Sequence, residues 1–167
     1  GIMYLNFAND EYMLLKKICT EKPPGHEFLP EVYDKFVSDD HFVIAMELLG
    51  TSIYHYMQSN GYFRKSNVHG FKIRRVAVYG FNIASALACV HKQNFLHGDL
   101  KPENVAMAEA LINGKNIRFV KLIDFSSSFP LCNAGTTFPI TTIFYRAPEV
   151  CMRKFYTEKI DVWGFGC

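Results

Sequence analysis

A chain of 167 residues (19.1 kDa) has room for one compact domain or part of a larger one, but not for two ordinary domains. Apolar residues make up 49% and charged residues 20%, which excludes a disordered or fibrous chain, and fifteen Phe and nine Tyr supply a well-filled core. A net charge of +2 is too small to imply nucleic acid or a membrane surface as a partner.

In chain order, Gly1-Ile2-Met3 lacks the basic region and apolar core of a signal peptide. Asp10–Ile18 is predicted as a helix with Met13, Leu14, Leu15 and Ile18 near one face. Glu21–Pro30 carries three prolines and a glycine and reads as a loop. Val32–Val37 and His41–Leu49 read as strands joined by a turn at Ser38-Asp39-Asp40, and Ile53–Asn60 as a short helix with Ile53, Tyr56 and Met57 apolar. Lys72–Gln93 carries the strongest helical pattern, with Val76, Ile83, Leu87 and Val90 on one buried stripe. Gly80 inside it costs about 1 kcal/mol relative to Ala, which implies a closely packed partner there. The uncharged stretch Val76–Val90 is shorter than the roughly 20 residues of a membrane span. Val105–Met107 and Val120–Ile123 flank Asn113-Gly114 as a small hairpin. Asp161–Cys167 reads as an apolar helix just starting, as in a fragment. The five cysteines are scattered with no CxxC pair, so neither a zinc site nor a disulfide scaffold is signalled, and a soluble protein of a reducing, intracellular compartment fits.

The chemistry is concentrated in His97-Gly-Asp-Leu-Lys-Pro-Glu-Asn-Val105, which holds an acid, a cation and an amide at Asp99, Lys101 and Asn104. Twenty residues beyond Asn104, the apolar run Lys121-Leu-Ile ends in the carboxylate of Asp124, and Tyr145-Arg-Ala-Pro-Glu149 follows. Phosphoryl transfer needs such a set. Asp124 and Asn104 offer hard oxygen ligands for Mg²⁺, Asp99 an acceptor for the attacking hydroxyl, and Lys101 a cation beside the phosphate. Pro102 stiffens the loop that carries them.

The series H-x-D-L-K-P-E-N, D-F, A-P-E and D-V-W-x-x-G resembles the catalytic half of a eukaryotic protein kinase. The finer resemblance is to the LAMMER or CLK-type dual-specificity kinases of the CMGC group. It rests on Glu47-Leu-Leu-Gly-Thr-Ser52 as hinge and on Phe95-Leu-His-Gly-Asp99, which lacks the usual arginine before the catalytic Asp. A DYRK-type kinase is the neighbouring alternative. The resemblance implies an α+β, protein kinase-like bilobal fold, incomplete here. Residues 1–46 would be a small-lobe remnant, 47–52 the hinge and 53–167 the first half of the large lobe.

It further implies ATP and Mg²⁺ as cofactors and transfer of the γ-phosphate to Ser or Thr of proteins, and to Tyr in a dual-specificity enzyme. Arg/Ser-rich splicing factors as substrates, and a nuclear or nucleocytoplasmic location, follow from the same resemblance. Asp99 would be the proton acceptor, Lys101 the phosphate-facing cation, Asn104 and Asp124 the metal ligands, and Thr142 the tether of Asp99 and Lys101. Glu11 would pair with the small lobe's ATP-binding lysine, Met46 would be the gatekeeper, and the backbone of Glu47 and Leu49 would bond adenine. His97 and Asp161 are expected in structural roles, the latter accepting backbone N–H groups of the catalytic loop.

The sequence departs from the kinase pattern in several places. The glycine-rich loop and ATP-anchoring lysine would precede Gly1, so the chain alone is expected to be inactive. Ser126 stands for the glycine of D-F-G and is expected to restrict the flip of Phe125. Gly98 replaces the arginine that grips an activation-loop phosphate, which argues against control through Thr136, Thr137 or Thr141. Pro139 and Ile143 stand where a DYRK-type kinase has its activating tyrosine and a following arginine. The rival readings are a pseudokinase that scaffolds partners and a truncated product with no fold of its own.

Overall fold

The computed structural model describes residues 2–62, 71–133 and 140–167. Helix α1 (Ile2–Glu21) is longer than its amphipathic core predicted, and Leu14, Leu15 and Ile18 form its buried face. Met13, expected beside them, is 55% exposed, because a helix turns about 100° per residue and carries it off that stripe. A loop with a short 3-10 turn at His26–Phe28 leads to β1 (Val32–Ser38), paired antiparallel with β2 (His41–Met46). The connection is the two-residue turn Asp39-Asp40, with both residues at positive φ, as a tight hairpin turn requires.

Helix α2 (Ile53–Ser59) starts at Ser52, whose hydroxyl accepts the His55 N–H. Helix α3 (Ile73–Lys92) buries Tyr79, Asn82, Ala86, Leu87, Cys89 and Val90, so the buried stripe lies partly to one side of the predicted one. Leu87 and Val90 belong to it and Ile83 is partly buried, whereas Val76 is 48% exposed beside Phe165 in an apolar groove of about 280 Å³. Gly80 meets only the Phe165 ring at ordinary contact distance; the helix glycine in close contact with backbone is Gly164, where a Cβ would lie 3.3 Å from Leu100 O. By length and composition α3 could cross a membrane, contrary to the reading of its shorter uncharged stretch. Here its inner face packs on a strand described below, and the Asn82 side chain accepts the Val120 N–H at 3.2 Å.

After α3 the chain forms β3 (Phe95–Leu96), a 3-10 turn at Pro102–Asn104, and the hairpin β4 (Val105–Ile112) and β5 (Lys115–Leu122). The hairpin turns at Asn113-Gly114, both at positive φ, and its strands run longer than the two apolar patches predicted. β6 (Phe129–Pro130) pairs with β3, and α4 (Pro148–Cys151) and α5 (Lys159–Gly166) complete the order. One core joins α1, α3, β4 and β5 around Leu15, Val90, Val120 and Phe125; a second gathers Leu96, Ala147, Val150, Tyr156 and Ile160. Between them runs the segment from His97 to Asn104. Thr136, Thr137 and Pro139 lie outside the described residues.

Candidate active site

The loop between β3 and β4 is fixed from below by Asp161 of α5, which is 1% exposed. Its Oδ2 accepts the His97 N–H at 2.8 Å and its Oδ1 the Gly98 N–H at 2.9 Å, and His91 Nε2 reaches Oδ2 at 2.9 Å. His97 is fully buried. Its Nδ1 accepts the Asp99 N–H at 3.2 Å, so the proton sits on Nε2, which donates to Ile123 O at 3.1 Å. One imidazole thus joins the turn before Asp99 to the strand end before Asp124.

On this platform three side chains close a ring. Lys101 Nζ lies 2.5 Å from Asp99 Oδ2 and 3.0 Å from Thr142 Oγ1, and the Thr142 hydroxyl donates to Asp99 Oδ1 at 2.7 Å. The Thr142 N–H reaches the same oxygen at 2.8 Å. Burial pushes the Asp99 carboxyl up, but Lys101 and the two Thr142 donors outweigh it and hold the group below its ordinary range. Such a carboxylate is a weak base and a well-oriented hydrogen-bond acceptor.

Asn104 is buried and donates Nδ2–H to Asp99 O at 2.9 Å, and its Oδ1 is an acceptor only. The Asn104 carbonyl accepts the Ile123 N–H at 2.9 Å, bringing Asp124 in beside it. Asp124 stands at φ 65°, and its Oδ1 accepts from Ser126 Oγ at 2.6 Å and from Ser126 N–H at 3.3 Å. Ser126 itself is not among the positive-φ residues, so in this conformation a side chain replaces the glycine without backbone strain. Phe125, 1% exposed, stacks edge-on against His97. Amide and carboxylate oxygens such as those of Asn104 and Asp124 are of the hard kind that Mg²⁺ accepts.

Glu11 on α1 joins this group through the backbone, its Oε1 accepting the Phe125 N–H at 3.2 Å. Burial raises its pKa, the Phe125 N–H lowers it, and the nearby Asp124 carboxylate raises it further. Among the described residues no lysine pairs with it. Met46, Glu47 and Leu49 form a separate group where β2 runs toward α2, with Met46 opposite Val32 in the β1–β2 ladder. Among the described residues no hydrogen bond joins them to Asp99. Glu47 is tied to β5 by Lys121, whose Nζ lies 2.6 Å from Glu47 Oε2.

Residues 8–167 match the family described as the protein kinase domain. The chain belongs to that family. This kinase chain is 30% identical over 162 residues to the probable serine/threonine-protein kinase dyrk2 of Dictyostelium discoideum, covering 97% of itself and 16% of that protein. It is 32% identical over 166 residues to the dual specificity protein kinase YAK1 of Saccharomyces cerevisiae, covering 98% and 19%. Against the human dual specificity tyrosine-phosphorylation-regulated kinase 3 it is 30% identical over 160 residues, covering 96% and 25%. A solved crystal structure of a kinase domain superposes with a TM-score of 0.79 at 30% identity, over 99% of this chain and 51% of that one. The fold is therefore the α+β protein kinase fold, and the chain spans about half of such a domain.

These relatives are of the DYRK and YAK1 type, which corrects the narrower CLK or LAMMER reading. That reading leaned on local segments, the hinge with the helix after it and Phe95–Asp99, whereas the likeness to these relatives runs over some 160 residues. Three contributors escaped the sequence reading. Lys121 sits where strand alternation puts a solvated lysine, yet it is 9% exposed; His91 looked like an ordinary helix residue; and the hydroxyl of Ser126 was weighed only for its bulk.

Proposed function

We propose that the chain is the central part of a protein kinase that transfers the γ-phosphate of ATP to a Ser or Thr hydroxyl of a protein. Tyr is included because relatives carry dual specificity in their names. The observation that carries this reading is the closed ring of Asp99, Lys101 and Thr142 with Asn104 hydrogen-bonded to Asp99 O. Asp99 accepts the hydrogen bond of the incoming hydroxyl and aims its oxygen. Lys101, held between Asp99 and Thr142, faces the charge that builds up on the transferred group. Asn104 and Asp124 would hold Mg²⁺, which when bound would neutralise phosphate charge.

Under this reading residues 1–46 belong to the small lobe, 47–52 to the hinge and 53–167 to the large lobe. Met46 flanks the base, the backbone of Glu47 and Leu49 bonds it, and Glu11 serves the phosphate-anchoring lysine. The relatives' names lend no support to Arg/Ser-rich splicing factors, so the substrate is proposed only as a protein hydroxyl; an intracellular location, nuclear or nucleocytoplasmic, rests on the family resemblance. Phosphate incorporation by the full-length protein with Mg²⁺-ATP, compared with Asp99→Asn, tests the assignment. A loss of about 10²-fold or more is expected, and equal incorporation by both proteins removes it.

One observation favours a second reading, a pseudokinase scaffold: the Ser126 hydroxyl occupies an oxygen of Asp124 that a metal ion would otherwise share.

A further inference from the structure

Lys121 lies on β5, three residues before Asp124, with its ammonium withdrawn from water. A buried ammonium is unfavourable unless paired and hydrogen-bonded. Its partner is Glu47 Oε2 at 2.6 Å, the same oxygen that accepts the Glu31 N–H at 3.1 Å. The Glu47 N–H in turn donates to Glu31 O at 2.8 Å. Glu47 is thereby held through both its backbone and its carboxylate.

Three residues on, the chain is held a second time: the Gly50 N–H donates to Met107 O and the Met107 N–H to Thr51 O, each at 2.9 Å. Between these two anchors Leu48 is 97% exposed. Among the described residues neither Glu47 O nor the Leu49 N–H takes part in a backbone hydrogen bond outside helices and strands. The short span therefore presents an unpaired acceptor and donor from a braced backbone, and the brace on its β2 side is a side chain of β5.

We propose that Lys121 is a positioning residue for nucleotide binding. Through Glu47 it sets where the Glu47 carbonyl and Leu49 N–H stand. Because Lys121 sits near the end of β5, three residues before Asp124, it also ties the base-binding end of the site to its metal-binding end. The ligand it serves, an adenine nucleotide, rests on the kinase reading above. The brace itself does not.

The test uses full-length protein with Lys121→Met, Lys121→Arg and the double variant Lys121→Met/Glu47→Leu, which removes both charges so that neither is stranded. Amide hydrogen exchange is followed at residues 47–51, with α3 as internal reference, and dissociation constants are measured for adenosine and Mg²⁺-ATP. Lys121→Met is expected to speed exchange at Glu47 and Gly50 and to weaken adenosine about tenfold, the worth of one buried charged hydrogen bond. Exchange in α3 stays unchanged, and Lys121→Arg restores both readouts. If Lys121→Met fails to fold, the double variant is expected to fold and to show the same fast exchange at 47–51. Wild-type exchange at 47–51 in whichever of these two variants folds overturns the proposal, as does an Arg variant as impaired as Met. A wild-type protein that binds neither adenosine nor Mg²⁺-ATP sinks the kinase reading instead, while the exchange arm still decides the brace.

Discussion

Gly98 lies directly beneath the carbonyl of Ser127: at its φ of 80°, a Cβ would stand 2.5 Å from that oxygen and 3.1 Å from Leu96 Cδ1. The Ser127 carbonyl is held there by a tight turn, in which both the Ser128 N–H and the Ser128 hydroxyl bond Phe125 O, at 3.0 and 2.6 Å. The glycine and the serine turn are thus fitted to each other. Gly98→Ala is expected to cost about 1–2 kcal/mol for the left-handed backbone alone, with the clash in addition, and to lower the melting temperature by several degrees. Gly98→Arg is expected to be at least as damaging and not to create a phosphate-responsive enzyme. A melting temperature equal to wild type for Gly98→Ala would contradict both the backbone cost and the clash.

Asp161 is the support under the same loop. Asp161→Asn replaces one of two acceptor oxygens by a donor facing His97 N–H and His91 or Gly98 N–H, leaving a buried N–H opposed to another. A destabilisation of about 3–5 kcal/mol is expected, read as a lower urea midpoint at unchanged slope. His91→Gln, which touches only one of the three bonds, should cost much less. Equal losses in the two variants would contradict the assignment of the loop's backbone amides as the main dependents of Asp161.

The legible parts of the fold were those where one local pattern decides. The Asn113-Gly114 hairpin follows from turn chemistry within two residues, and the short helix that begins at Ile53 from the apolar spacing of Ile53, Tyr56 and Met57. The loop of Asp99, Lys101 and Asn104 was legible because the three stand at fixed short spacings. What resisted reading depends on who packs against whom. Val76 has the right period for the buried stripe of α3 but faces the open groove, and Gly80 has no tight neighbour while Gly164 does. Lys121 is the sharpest case, since its burial comes from Glu47, 74 residues away in sequence. Periodicity carries no information about such a partner.

Ser126 separates the active-kinase and pseudokinase readings. Its hydroxyl fixes Asp124 Oδ1 at 2.6 Å and leaves Oδ2 open. If the bond orients the carboxylate for Mg²⁺, Ser126→Ala should weaken metal binding by a few-fold, because Asp124 then samples more rotamers. If the bond competes with the metal, Ser126→Ala and Ser126→Gly should both tighten it. Mn²⁺ titration followed by electron paramagnetic resonance, with Asp124→Asn as the null control, reads the sign directly. The orienting outcome is expected, since Ser126 bonds Oδ1 through both its hydroxyl and its N–H and so fixes one carboxylate geometry. Tighter binding in both variants would favour the scaffold.

The two perturbed carboxyls predict opposite dependences on pH. Despite burial, Asp99 is held below its ordinary value by Lys101 and Thr142, so it stabilises the fold above its unfolded pKa, a contribution lost as pH falls through the folded one. Glu11 is raised by burial, and by Asp124, above its ordinary 4.5; its ionisation therefore costs stability as pH rises from that value through the folded pKa. Glu11→Gln keeps the acceptor for the Phe125 N–H and removes the charge. In the 167-residue chain the variant should melt higher than wild type at pH 7.5 and match it more closely at pH 4.5. The reverse ordering would mean that a cation stands against Glu11 and depresses its pKa. Where a small-lobe lysine supplied in a longer chain completes the pair, that reversal is the expected result, so comparing the two chains tests both the buried carboxyl and its proposed role.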